Sequence, residues 1–264
     1  MTFLDWLLST GNYSLPKSEY LYGTTHLIVL AMVVVASIAM GIWMAKAKPK
    51  CRQIVLYVFA GILLFMECSG RVLTLVKMTD YNFWGLYKAL IPMHFCSIVV
   101  WFFIVGVFAK SKVTLRLALI GGMMATVAYL AYPAVGLNMA FIGYGEFYSI
   151  FTHSIAFVAV VAALAMGAGQ FKWKETWQPA IFFACIVVYA VLLNFVMFPG
   201  GDYMYITQNP LPFEFGPIPY QVVLALVIIG VVSLFYAFPS LKRSIERKKQ
   251  KHKNLPPVEQ KKEN

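Results

Sequence analysis

Residues 25–52 read THLIVLAMVVVASIAMGIWMAKAKPKCR. No Asp, Glu, Lys or Arg falls within 25–45, and that is the length a helix needs to cross the hydrocarbon of a bilayer, about 20 residues at roughly 1.5 Å each. Basic residues then alternate with others at Lys46, Lys48, Lys50 and Arg52. An apolar span ending in a basic turn is the unit of a polytopic membrane protein. It recurs along the chain at 53–76, 86–108, 113–132, 147–168, 179–198 and 219–238. The composition agrees. Apolar residues make up 60% of the chain and charged ones 12%, where soluble domains carry about 25% charged residues. Mean hydropathy is +0.71. The sequence therefore predicts an all-α polytopic bundle of seven transmembrane helices. Short loops make residues 1–240 one domain, and 241–264 form a basic cytoplasmic tail, partly disordered over 255–264.

The formal charge of +11 invites a nucleic-acid reading, but its distribution excludes one. Lys46 to Arg52 fill the first turn, Lys110, Lys112 and Arg116 the third, and Lys172 and Lys174 the fifth. The other loops are poor in Lys and Arg and carry Asp80, Glu146, Asp202 and Glu214. Basic loops stay cytoplasmic, so an odd number of spans runs from N-terminus out to C-terminus in, in a multi-pass cell-membrane protein. The tail KRSIERKKQKHK can draw anionic lipid headgroups to it. The start of the chain does not read as a cleaved leader, because Asp5 interrupts the short stretch FLDWLL. That stretch suits the outer interface, with Trp6 as its anchor. The cysteines make neither a CxxC pair nor a metal pattern, and no phosphate loop or dinucleotide fingerprint is present, so no metal or cofactor is implied.

Polar groups inside a bilayer face the bundle interior or a wet cavity, and their depths can be compared from the topology. Arg71 falls about 9 Å and Glu67 about 15 Å below the outer edge of the second span, on one helix face. Cys96 falls about 12 Å down the third span and His153 about 9 Å down the fifth. Asn194 lies at the same level near the end of the sixth, followed by Asp202 and Tyr203 in the outer loop, and His26 opens the first. The inner halves hold almost nothing ionisable. Polar side chains from several helices thus gather in one layer, which suggests one site. Taken singly, each has a plain reading: Glu67 and Arg71 as a buried pair, His153 bonded to a backbone carbonyl, Cys96 as a small packer, Asn194 bonded to a neighbouring helix. His94 and Cys96 are two apart and point to opposite sides of a regular helix, so His153 is the better base for Cys96. Pro92 complicates this, because it starts or kinks the helix.

The segment IPMHFCSI, with a histidine in a later span, resembles the YwaF-type bacterial membrane proteins and their animal relative, transmembrane protein 164. The shared pattern is Pro92, His94 and Cys96 near the start of a span, then His153, 57 residues on (153 − 96). The piece GGDYMYITQNP is similar to the family's outer-loop segment, with Asp202 where an Asn is usual. The resemblance implies a cysteine-dependent lipid acyltransferase, distantly akin to membrane hydrolases of fatty-acid esters. Cys96 would be its nucleophile, His153 its base and membrane lipids its substrate. Arg71 would suit a lipid phosphate, and Asn194 or His94 an oxyanion. A transporter or sensor with a polar cavity at Glu67 and Arg71 is the alternative, and a purely structural role a second one.

Overall fold

The computed structural model describes residues 2–8, 13–79, 81–133, 136–209 and 215–253, with only the backbone of 17, 18 and 238–253. Two short helices come first: α1, Phe3–Leu8, and α2, Lys17–Tyr20. The long ones are α3, Thr24–Lys46, and α4, Pro49–Lys77. Then come α5, Phe83–Leu90, and α6, Phe95–Phe108. They are followed by α7, Lys112–Ala131, and α8, Tyr144–Ala165. α9, Trp177–Val191, runs on into a π-helical turn at Leu192–Met197, and α10 is Tyr220–Lys253. No strand occurs among the described residues. Six helices there are long and apolar enough to cross a membrane, and a seventh span is formed if the bent pair α5–α6 counts as one.

Four helices make the centre. α6 packs mainly against α7 and then α4, and α8 against α3, α7 and α4, rather than α6 and α8 against each other. α3 lies outside α8, while α9 and α10 lie against α7. Small residues let α7 approach its neighbours closely. A Cβ on Gly121 would come within 2.5 Å of Val99, and one on Gly122 within 2.9 Å of Val160. The buried layer joins Phe103 and Ile104 of α6, Leu119 and Ile120 of α7, and Ala159 and Ala163 of α8.

The third span departs from the regular helix expected over 86–108: α5 and α6 meet at 60°. Pro92 lacks a backbone N–H and pushes the residue before it out of the helical region, and Ile91 is extended at φ −92, ψ 138. The helix restarts only at Phe95. The first basic loop is also shorter than the sequence suggested. Pro49 opens α4, so Lys50, Cys51 and Arg52 stand on its first turn. Arg52 reaches back to the end of α3, where its Nη2 donates to the Ala45 carbonyl at 2.7 Å. Arg116 does the same for the turn after α8, donating to the carbonyls of Gly169 (2.8 Å) and Gln170 (3.3 Å) and pairing with Glu175. The basic end of the bundle is thus stitched by arginines at carbonyls that have no helical partner. α10 continues to Lys253, so the tail expected from 241 begins as a prolongation of that helix. Asp80, Glu214 and residues 254–264, with the disorder expected at 255–264, lie outside the described residues. At the other end α1 lies on α8: the Trp6 indole donates to the Ile142 carbonyl at 3.0 Å and meets Tyr144 edge-on.

Candidate functional site

The break before α6 places Cys96 second in that helix. His94 occupies the N-cap position in extended backbone (φ −102, ψ 144), and its side chain does not cap. The first intrahelical bond runs from the Ile98 N–H to the His94 carbonyl. The N–H groups of Phe95, Cys96 and Ser97 therefore stand at a helix N-terminus with no carbonyl of their own helix to bond. A helix starting at Pro92 would have left Cys96 beyond the first turn; the observed start puts it inside, where the helix dipole favours an anion.

Glu67 and Arg71 hold this break in place. Arg71 Nη1 donates to the Leu90 carbonyl at 2.7 Å and to that of Ala89 at 3.5 Å, the free end of α5. Its Nη2 bonds Glu67 Oε2 at 2.8 Å and Ser97 Oγ at 3.0 Å. Glu67 is 1% exposed. Its Oε2 also accepts from Ser97 Oγ at 2.7 Å and from the Trp101 indole at 3.0 Å, and its Oε1 accepts from Tyr148 at 3.2 Å. One carboxylate thus ties α4 to α6 and α8. The pair sits in the network that a buried ion pair requires.

His153 enters the same layer from α8. Its Nδ1 lies 2.7 Å from the Ser149 carbonyl. A carbonyl only accepts, so Nδ1 carries the proton and Nε2 of the neutral ring keeps its lone pair. The ring of Tyr129, from α7, lies flat against the imidazole with centroids 3.8 Å apart and planes at 7°. Half-buried Cys96 is within electrostatic range of Glu67, Tyr129 and Tyr148, and His153 within that of His94. No hydrogen bond joins Cys96 to His153 among the described residues. The two stand on different helices, α6 and α8, each of which packs on α4 and α7.

The loop after α9 closes the layer from above. Asn194 sits in the π-helical turn, 2% exposed. Its Nδ2 donates to the carbonyls of Ala190 (2.9 Å) and Tyr203 (2.8 Å), and its Oδ1 accepts from the Tyr203 N–H at 2.6 Å. The amide thus holds the loop backbone. Tyr203 in turn meets His94, ring centroids 5.8 Å apart, and Phe198 at 5.7 Å. Asp202 folds the loop, accepting from the N–H (2.9 Å) and hydroxyl (2.5 Å) of Thr207 and from the Gln208 N–H. Met204 and Tyr205 take left-handed backbone, φ 63 and 54, uncommon for such side chains. Burial pushes the Tyr203 phenol up from its ordinary range, and the Tyr205 phenol rises through burial, then Cys96, Asp202 and Tyr132.

The layer thus gathers Glu67, Arg71, His94, Cys96, His153, Asn194 and Tyr203, while Asp202 turns into its own loop. His26 serves elsewhere, joining α3 to α7 through the Leu130 carbonyl at 2.8 Å. Sequence reasoning missed Ser97, Trp101, Tyr129, Tyr148 and Ser149. Ser97 neighbours Cys96, and Tyr148 and Ser149 stand about one turn before His153 on the same helix. Hydroxyls and rings are common in such helices, so only the fold picks these out. Among the described residues no set of three His, Cys, Asp or Glu side chains gathers for a metal ion.

A family model for the TMEM164 family matches residues 21–237, and the chain belongs to that family. No curated protein and no solved structure matches the chain.

Proposed function

We propose that this TMEM164-family membrane protein is an acyltransferase or lipid hydrolase acting on membrane lipid esters through Cys96 and His153. The observation that carries the reading is the state of His153: its Nδ1–H is held by the Ser149 carbonyl, so Nε2 is the basic nitrogen, in the layer where Cys96 opens α6. Nε2 takes the thiol proton and the Cys96 thiolate attacks the ester carbonyl. The N–H groups at the start of α6 favour the negative charge, first on sulfur and then on the tetrahedral oxygen. The ester C–O bond breaks, the departing lipid alcohol takes the proton from His153, and an acyl thioester remains on Cys96. A second lipid hydroxyl or water then gives its proton to His153 and attacks the thioester carbonyl; the C–S bond breaks, and the Cys96 sulfur takes the proton back from His153. Arg71 and Glu67 serve this reading by holding α6 at the break, and His94 and Tyr203 lie at the mouth.

The charge pattern supports an N-out, C-in orientation in the cell membrane, with the layer in the outer leaflet half, near the depth of lipid esters. Anionic headgroups would meet the basic tail on the opposite side. The test is acyl-thioester trapping: purified protein is incubated with radiolabelled phospholipid and quenched in acid, with Cys96→Ala in parallel. A hydroxylamine-labile label on the native chain only is the expected result. An unlabelled native chain, or equal label on the variant, overturns the reading. The alternative, a transporter or sensor centred on Glu67 and Arg71, predicts that Cys96 is dispensable. Against it stands the bonding of that pair, whose Nη groups and carboxylate oxygens already have protein partners.

A further inference from the structure

At the end of the bundle away from Cys96, a cleft of about 220 Å³ opens between the starts of α4 and α7 and the end of α6. Leu56, Tyr57, Val107 and Leu115 form its apolar wall, and Gln53, Lys110 and Lys112 its polar rim. Gln53 and Tyr57 stand four and eight residues into α4, about 6 and 12 Å from its start. The cleft therefore spans the headgroup level and the first methylenes of that leaflet.

Charge singles out the occupant. The neighbouring arginines have partners: Arg52 on Ala45 and Arg116 on Glu175 and the turn carbonyls. The exposed ammonium groups of Lys110 and Lys112 have none among the described residues, and no carboxylate lines the cleft. Lys110 also holds left-handed backbone, φ 53, in the tight turn from α6 to α7. That conformation is the ordinary end of a helix: the N–H groups of Lys110 and Ser111 bond the Val107 and Gly106 carbonyls at 3.3 and 3.0 Å, which fixes where the Lys110 side chain leaves the turn.

We propose that this cleft binds the phosphate headgroup of an anionic phospholipid from the leaflet at the basic end of the bundle. Lys110 and Lys112 are its counter-ions, Gln53 donates a hydrogen bond, and the acyl chains remain in the bilayer beside the exposed faces of Val58 and Phe108. Basic pockets between helices at this level are the expected form of such a site. The volume fits a headgroup and excludes a pair of acyl chains, so the lipid is held at its phosphate. The site is separate from the Cys96 layer and does not depend on the chemistry proposed there.

The test is a titration of the purified full-length protein in detergent with phosphatidylglycerol, read by native mass spectrometry, with phosphatidylcholine in parallel. The native chain is expected to retain one phosphatidylglycerol in preference to phosphatidylcholine. The Lys110→Gln, Lys112→Gln double variant should bind it about thirtyfold more weakly, the effect of two surface-level cations. Lys46→Gln with Lys48→Gln removes the same charge at the same end outside the cleft and is expected to change binding less than threefold. Equal loss in both double variants means diffuse attraction and overturns the site, as does equal binding of the two lipids. Displacement by millimolar inorganic phosphate identifies a soluble anion as the ligand and also overturns the lipid assignment.

Discussion

Ser149 and His153, one turn apart on α8, are joined through a 2.7 Å contact between the Ser149 carbonyl and Nδ1 of the imidazole. Any residue at 149 offers that carbonyl, so the tautomer is set by the helix itself and survives side-chain change. Orientation of the ring has a second source, the Tyr129 face at 3.8 Å. Ser149→Ala is therefore expected to leave thioester formation within about twofold. Tyr129→Ala should slow it about two- to tenfold, the worth of one aromatic stack, and Tyr129→Phe should restore it. Acid-quench labelling rates measure all three. A Phe variant as slow as the Ala variant would assign the role to the Tyr129 hydroxyl and not to the ring.

Loss of one partner from the Glu67–Arg71 pair leaves a buried charge uncompensated. Arg71→Ala should destabilise the fold by about 3–5 kcal/mol and lower the yield of folded protein. It also strips the carbonyls of Ala89 and Leu90 at the break. Glu67→Gln combined with Arg71→Gln removes both charges and is expected to recover part of the loss. Thermal unfolding in detergent checks this. Single variants that melt like the native chain yet lose a bound ligand would make the pair a ligand site.

Asn194 satisfies both backbone groups of Tyr203. Asn194→Ala leaves that N–H and carbonyl without partners, about 1–3 kcal/mol each if they remain buried. The loop from Gly201 to Gln208 should therefore open, with hydrogen exchange there rising at least fivefold while α8 stays protected. Unchanged exchange in the loop would show that the π-helical turn holds it without the side chain.

Much of this was legible before any coordinates. Charged residues avoid hydrocarbon, so spans, basic turns and the layer of polar groups could be placed by counting residues. The bend at Pro92 was legible only as a possibility. Whether proline opens or breaks a helix depends on what bonds the freed carbonyls, and here that is Arg71, about twenty positions upstream. The setting of Glu67 was hidden for a related reason: its donors Ser97, Trp101 and Tyr148 are residue types found at many packed positions. The role of Asn194 needed the π-helical turn, which no periodicity announces. Cys96 and His153 were paired by depth and resemblance, and the fold adds that α4 and α7, not direct packing, set their spacing.

The orientation predicted from the same charges has its own test. A reporter fused after Lys253 should read cytoplasmic, and one inserted after Asn209 should read external. Four positive residues between Lys46 and Arg52, with Lys110, Lys112, Arg116 and the tail, all stand at one end of the bundle. Swapped signals would move the Cys96 layer to the inner leaflet half and the Lys110 cleft to the outer one.

Nucleophilic chemistry at Cys96 makes the sharpest demand on the geometry. The Cys96 thiol stands within the bundle at the first turn of α6, and a base must take its proton as the sulfur attacks. His153 meets this need only if its Nε2 can reach the sulfur. No hydrogen bond joins them in the resting protein, and catalytic contacts often tighten only when substrate is bound. Three variants separate the steps. Cys96→Ala should give no thioester. Cys96→Ser has a far less acidic nucleophile and should lose activity by at least a thousandfold while folding normally. His153→Ala should abolish the thioester but leave Cys96 open to a small alkylating reagent at high pH, because ionisation in bulk alkali replaces the base. Acid-stable and hydroxylamine-labile label, read alongside alkylation by intact-mass measurement, distinguishes these outcomes. Full thioester formation in His153→Ala would remove the histidine from the mechanism and leave the helix start alone to activate Cys96.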